Sequence, residues 1–270
     1  MVMTKTISYV LPLNMNFKKN MLKYLFIRPL LWCIFALALL VFSLGISWQV
    51  SKATNFLYGF WYQTLEINTV ISTNVPKNTQ GKRDFPINDI KLHKQKFANI
   101  VQAIHQHGNG LAAISYLNHQ AVLQKLLTKS EVQHLQDVAN LLDSMSQIWW
   151  GNLLFLLSLL IFYSRKAKQL TAESIRAMPT AKQKLSSLAC FVVLVIAMLG
   201  IWGFTAVFYY LHTVIFPSEH QWFFYYQDSL MSSLMKAPDI FAAIAGQLLL
   251  IALLLAGTID AALSRYQCQK

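Results

Sequence analysis

Seven histidines are the side chains of this 270-residue chain best suited to exchange protons at neutral pH. Two of them stand out by context. His134 sits in Glu131-Val-Gln-His-Leu-Gln-Asp-Val138, at the edge of an apolar helical stripe, with Asp137 one turn on. A carboxylate three residues along a helix can hold one imidazole tautomer and raise its basicity, the second half of a base–orienter pair. The plainer account is a helix-surface histidine beside an aspartate. His212 stands in Tyr209-Tyr-Leu-His-Thr-Val-Ile-Phe-Pro217, inside a long stretch without charge. An ionisable group in so apolar a setting is costly and by default points to function. An aromatic belt would also tolerate it at a membrane interface, since 11 of the 25 residues from Trp202 to Tyr226 are aromatic. The other histidines carry less. His93, His105 and His107 are mixed with Lys and Gln and read as a solvated polar face. His105 and His107, two apart, do not share a helical face, so no zinc site is expected there. His119 and His220 read as surface residues.

The elements that must position these side chains follow from composition. The chain is 55% hydrophobic and 13% charged, with a mean hydropathy of +0.41. A water-soluble domain carries about a quarter charged residues, and disordered chains are apolar-poor, so both classes are excluded. Four stretches lack any Asp, Glu, Lys or Arg: Pro29–Ser51, Ser144–Ser164, Leu185–Ser218 and Ile240–Ile259. Each is long enough to cross the hydrocarbon core, which needs about 20 apolar residues. The fold class expected is therefore an all-α integral membrane protein. It has four transmembrane helices (29–51, 144–164, 185–212 and 239–262) and a helical extracytoplasmic cap, 52–143, between spans one and two.

Thirteen of the 23 basic residues sort to one side of these spans. They lie in the arm 1–28, the linker 165–184 and the tail 263–270. The loop 213–238 has only Lys236 against Glu219 and Asp228, with Asp239 just after it. The positive-inside rule then makes both termini and the linker cytoplasmic and 213–238 an outer aromatic loop. The +12 net charge is an orientation signal and calls for no nucleic acid. Ser51-Lys52-Ala53 is a faint cleavage site, but the apolar run before it is too long for a signal peptide, so span one is expected to stay as an anchor. Cys33 and Cys190 fall within spans and Cys268 in the tail, which leaves the cap without a disulfide framework. Cys33 lacks the context of a lipidation site, and the cysteines are expected to pack as small apolar residues.

Within the cap, Phe56, Tyr58, Phe60, Trp61 and Tyr62 are expected to rest at the outer interface, and Pro76–Pro86 reads as a loop. Ile90, Phe97, Ile100, Val101 and Ile104 recur at helical spacing. After Gly108-Asn109-Gly110 a second helix is expected over Leu111–Leu127. Ser130 with Gln133 makes a capping box for a third, whose stripe of Val132, Leu135, Val138, Leu141, Leu142 and Met145 runs into span two. No strand pattern, repeat or phosphate loop competes.

In order and spacing, these motifs resemble the Lit family of lipoprotein intramolecular transacylases over roughly 110–262. The match rests on Tyr116-Leu117, Glu131, His134-Leu-Gln-Asp-Val138, a span ending in Arg165-Lys166, Phe208 to Pro217, Trp222-Phe-Phe224, Asp228-Ser-Leu230 and a last span. The resemblance implies an enzyme without metal or cofactor at the outer face of the bacterial cytoplasmic membrane, with diacylglyceryl lipoproteins and membrane lipid as partners. It would move the sn-2 acyl chain of a diacylglyceryl-cysteine to the α-amino group of that cysteine, giving a lyso-form lipoprotein. The family's two functional histidines fall on His134 and His212. Asp137, Tyr116, Trp222 and Asp228 are the implied orienting or substrate-binding residues.

The chemistry suits two imidazoles. An α-amino group titrates near 7.7–8.0, and a nearby imidazole can take its proton. A second can donate to the tetrahedral oxyanion or to the leaving glycerol oxygen. Donor and acceptor belong to one molecule, so no serine or cysteine nucleophile is needed. Depth assigns His212 to the ester and His134 to the amine, and the exchange of roles fits equally well. Straight helices would place His134 about 25 Å above the core and keep the two apart. Cooperation requires a break near Ser144–Ser146, or a span three that rises into the cap. A non-catalytic assembly subunit is the alternative. A transporter is disfavoured, because spans one and two hold no ionisable residue and Gln247 and Asp260 are too few for a polar pathway.

Overall fold

A computed structural model describes residues 28–166 and 181–268. The rest of the expected arm, most of the basic linker and the last two residues lie outside the described residues. What is described is mostly helical. Helix α1 spans Arg28–Ala53, α5 Lys129–Lys166, α6 Ala181–Trp202, α7 Phe204–Ile215 and α9 Asp239–Cys268. Three stretches are long and apolar enough to cross a membrane: Cys33–Ala53, Lys129–Ile161 and Asp239–Leu263. A fourth qualifies if Phe191–Trp202 and Phe204–Ile215 count as one broken span.

The first turns of α5 carry Lys129, Glu131, Asp137 and Asp143. At 1.5 Å per residue the 33-residue stretch runs about 50 Å, well beyond a ~30 Å hydrocarbon core. The stretch is thus longer than one crossing needs, and its turns up to Asp143 precede the charge-free run Ser144–Ser164.

Without a hydrophobic drive between helices in lipid, association rests on close packing and polar ties. Helix α1 supplies both. Ser43, Ser47 and Ser51 form a buried stripe. Ser47 donates to the Leu248 carbonyl of α9, and Gln247 of α9 bridges Ser51 and the indole N–H of Trp61. Gln247 is thus a structural tie. On the other side, Trp149 and Asn152 of α5 donate to the Phe42 and Ala38 carbonyls of α1. Gly45 makes this approach possible, since a Cβ there would lie 1.9 Å from the Trp149 ring nitrogen. Cys33, expected to pack inside, is exposed on α1.

The cap is built from α2 (Tyr58–Thr64), α3 (Ile67–Asn74), α4 (Ile90–Ile104), a hairpin, the start of α5, and α8 (Leu230–Met235). All six residues of α8 are buried, so the 230s enter the cap core beside Ile67, Ile71 and Ile100. Of the aromatic cluster expected at the interface, Phe56, Tyr58 and Tyr62 turn into this core, and Phe60 remains exposed. Tyr58 stacks on Phe97 with centroids 3.8 Å apart, and its hydroxyl reaches the Leu234 carbonyl.

Three local expectations need correction. Leu111–Leu127 is not a helix: after one 3-10 turn it forms the antiparallel strands β1 (Ser115–Leu117) and β2 (Leu123–Lys125). The cause is Asn118, whose side chain accepts from the Gln120 and Val122 amides and so turns the chain. The capping box of α5 is Thr128 with Glu131 rather than Ser130 with Gln133. The Thr128 hydroxyl accepts from the Glu131 amide, and the Glu131 carboxylate from the Thr128 amide. Span three is not straight from 185 to 212. It breaks at Gly203 (φ 76°, ψ 144°), and α7 leaves α6 at 90°. That conformation is nearly glycine-only, so this residue permits the corner.

Candidate active site

The corner at Gly203 resolves the geometric difficulty. Helix α5 runs unbroken through Ser144–Ser146, and α7 instead carries His212 across to it. The imidazoles of His134 and His212 lie with centroids 6.0 Å apart. Phe208 and Trp222 cover His212 at 4.1 and 5.2 Å, Phe224 covers His134 at 5.9 Å, and Phe216 lies 5.1 Å from both.

The two rings are held differently. Nδ1 of His212 donates to the Phe208 carbonyl one turn back, at 2.7 Å. That fixes the tautomer and leaves the lone pair on Nε2. His134 is 8% exposed, and its Nδ1 is buried with no hydrogen-bond partner. Burial, and next the neighbouring His212, hold the His134 imidazole well below the usual histidine range, at about 4, against a smaller upward pull from Asp137. It is therefore neutral at pH 7, with a ring nitrogen left unused.

Of the other expected site residues, Trp222 is the one that packs on the imidazole pair, against His212. Asp137 does not orient His134. Its Oδ2 accepts from Nδ1 of His220 at 2.7 Å, which also shows that His220 is more than a surface residue. Asp228 accepts from the Thr79 hydroxyl. Tyr116 is buried in the cap, where its hydroxyl meets Gln124 and Asp84; burial and that carboxylate push the phenol's pKa up. The solvated histidine face is also corrected. His93 is fully buried between the Tyr62 hydroxyl and the Pro86 carbonyl. His105 is tied to Trp48 and Val101, and His107 alone is exposed, beside Asp143.

Sequence reasoning also passed over a buried ionic knot one turn before His134. The Glu131 carboxylate accepts from Ser229 and lies 3.8 Å from the Lys82 ammonium, which donates to the Leu126 carbonyl. Burial lowers the lysine's pKa and Glu131 opposes that shift. Thr128-x-x-Glu131 was the readable half of this knot, whereas Lys82 lies in a polar loop that carries no signal. Among the described residues, no three His, Cys, Asp or Glu side chains gather as a metal site would require.

Comparison with known proteins agrees with the fold. Nothing among curated proteins matches the chain. The in meso structure of the membrane-integral lipoprotein intramolecular transacylase Lit from Bacillus cereus, carrying a histidine-to-arginine substitution, has a similar fold. It is 14% identical, aligns over 93% of this chain and 96% of its own, and has a TM-score of 0.55. A family model described as lipoprotein intramolecular transacylase Lit matches residues 31–236, most of the chain and all of the imidazole cage. The chain belongs to the lipoprotein intramolecular transacylase (Lit) family.

Proposed function

We propose that this chain moves the sn-2 acyl group of a diacylglyceryl-cysteine to the α-amino group of the same cysteine, with His134 and His212 as the catalytic residues. The single observation that carries this reading is the pair itself: one imidazole has a fixed tautomer with its lone pair free, and the other has a buried, unpartnered nitrogen 6.0 Å away, centroid to centroid.

The fixed tautomer favours His212 as the base, a choice the sequence left open. Its Nε2 takes a proton from the amine as the nitrogen attacks the ester carbonyl. His134, held neutral, donates an N–H to the developing oxyanion. When the ester C–O bond breaks, the proton on His212 passes to the departing glycerol oxygen. The products are an amide and an alcohol, with no net proton gained by the protein. Both reacting groups belong to one lipid-anchored molecule, so binding already supplies the proximity that a bimolecular transfer would lack. The aromatic cage keeps water from the ester.

The reading places the cage at the outer face of the cytoplasmic membrane, with the termini inside. Support comes from the basic residues of the short segments and from the charged upper turns of α5. The test is transfer on a synthetic diacylglyceryl lipopeptide in proteoliposomes, followed by mass spectrometry of its N-terminus. The wild type is expected to yield the lyso-form product, and His134→Ala and His212→Ala each to lose about 10²–10⁴ of the rate. Unchanged acylation in both variants would leave the assembly-subunit reading ahead.

A further inference from the structure

Beside the imidazole pair lies a second histidine–carboxylate arrangement that the mechanism does not use. Nδ1–H of His220 donates to Asp137 Oδ2 at 2.7 Å, and its Nε2 sits 2.9 Å from the Gln133 side-chain nitrogen. An imidazole that donates from Nδ1 accepts at Nε2, so the Gln133 amide N–H completes a neutral tautomer bonded at both nitrogens. Gln133 and Asp137 stand four apart on α5, one above the other on one face, and bracket His134 in sequence.

What His220 fastens is the cover of the site. From Phe216 to Ser229 the backbone forms turns and no helix or strand. Yet this segment supplies Phe216, Trp222 and Phe224, which close around His134 and His212. Side-chain ties must therefore hold it. Its far end is anchored to the cap: Ser232 donates to the Phe224 carbonyl, Ser233 to the Tyr226 carbonyl, and Tyr226 to the Ala237 carbonyl. Its near end is tied to α5 through His220.

We propose that His220, gripped by Gln133 and Asp137, is a positioning residue for the transacylation: it holds the 216–224 strap closed over the imidazole pair. This rests on the proposed transacylation. Closure keeps ester and amine at reacting distance and keeps water out, two effects that separate in experiment. With the strap loose, water competes for the ester carbonyl. Its oxygen bonds to the acyl carbon, the ester C–O bond breaks, and fatty acid and glycerol hydroxyl leave in place of the amide.

The experiment measures both products, N-acyl lipopeptide and free fatty acid, for wild type, His220→Ala, His220→Asn and Asp137→Asn in proteoliposomes, with thermal melting as a check on folding. In His220→Ala the transfer kcat should fall about 10–100-fold, the scale of a ~1 Å misplacement, with KM changed less. The ratio of fatty acid to N-acyl product should rise several-fold. His220→Asn, whose amide can still donate to Asp137, should recover part of both. Asp137→Asn reads the clamp from the other side if the alanine variant does not fold. Wild-type values of kcat and product ratio in the folded His220 and Asp137 variants would overturn the clamp and leave the transacylase reading intact. No N-acyl product from the wild type would overturn both.

Discussion

His93 and His134 are both buried helical histidines of the cap, and they have opposite bonding. His93 uses both ring nitrogens, accepting from Tyr62 at 2.7 Å and donating to the Pro86 carbonyl at 2.8 Å. It joins α2, α4 and the loop before α4, and has nothing left to offer a substrate. His134 has a buried Nδ1 with no partner and a second imidazole in front of it. Burying an unpaired polar group costs about 1–3 kcal/mol, so such a nitrogen persists where something outweighs that cost. Burial alone does not separate scaffold from site; unspent hydrogen-bonding capacity does.

Substitutions should break this symmetry in opposite directions. His134→Ala should cost about 10²–10⁴ in transfer rate while leaving the melting temperature nearly unchanged, because it deletes an unsatisfied group. His93→Ala should do the reverse. It strands the Tyr62 hydroxyl and the Pro86 carbonyl and opens a cavity, for a loss of roughly 2–4 kcal/mol. The folded fraction should keep its specific activity. A His93→Ala protein that folds normally but does not transfer would abolish the distinction.

The corner comes next in size. Gly203→Val forces a branched residue into positive φ, at a cost of about 1–3 kcal/mol. Because α7 carries His212, transfer should suffer more than the melt of α1 and α9 does. A wild-type rate in Gly203→Val would mean the 90° turn does not position the pair.

The smallest expected effect is in acid. Burial lowers the His93 pKa, outweighing the bond to Pro86 and the nearby Asp89. The unfolded chain, with its histidines near 6.5, then binds the extra proton first. The His93 contribution to stability is complete above about pH 6.5 and is lost as pH falls from there through the lowered folded value. Melting temperature should drop between pH 7 and 5, and the drop should shrink in His93→Gln. A pH-independent melt over that window would contradict the buried neutral imidazole.

Much of the membrane part was legible because charge-free runs are a strong signal: α1, α5 and α9 all fall on them. The 34-residue run Leu185–Ser218 held a clue in its length, since at 1.5 Å per residue it is about 50 Å and exceeds any single crossing. Gly203 within it gave no sign of a corner, because glycines are common in membrane helices. The hairpin was hidden for another reason. Three-residue strands are too short to show alternation, and Tyr116 is the one fully buried residue of β1. For the site, the block around His134 and the aromatic run around His212 were readable as local chemistry. The partner of Asp137 was not, because nearest-neighbour reasoning along a helix favours His134 over a His220 that is 83 residues away.

The measurement that tests the central claim most directly is the fate of a labelled acyl chain. A diacylglyceryl lipopeptide deuterated only in its sn-2 chain would be given to the wild type and to the His134→Ala and His212→Ala variants. Tandem mass spectrometry would then locate the label. The account predicts that the wild type carries the labelled chain to the α-amino group of the same molecule, and that in both variants the label stays on glycerol. Label remaining at sn-2 with the wild type, or reaching the amine equally fast without either imidazole, would contradict it.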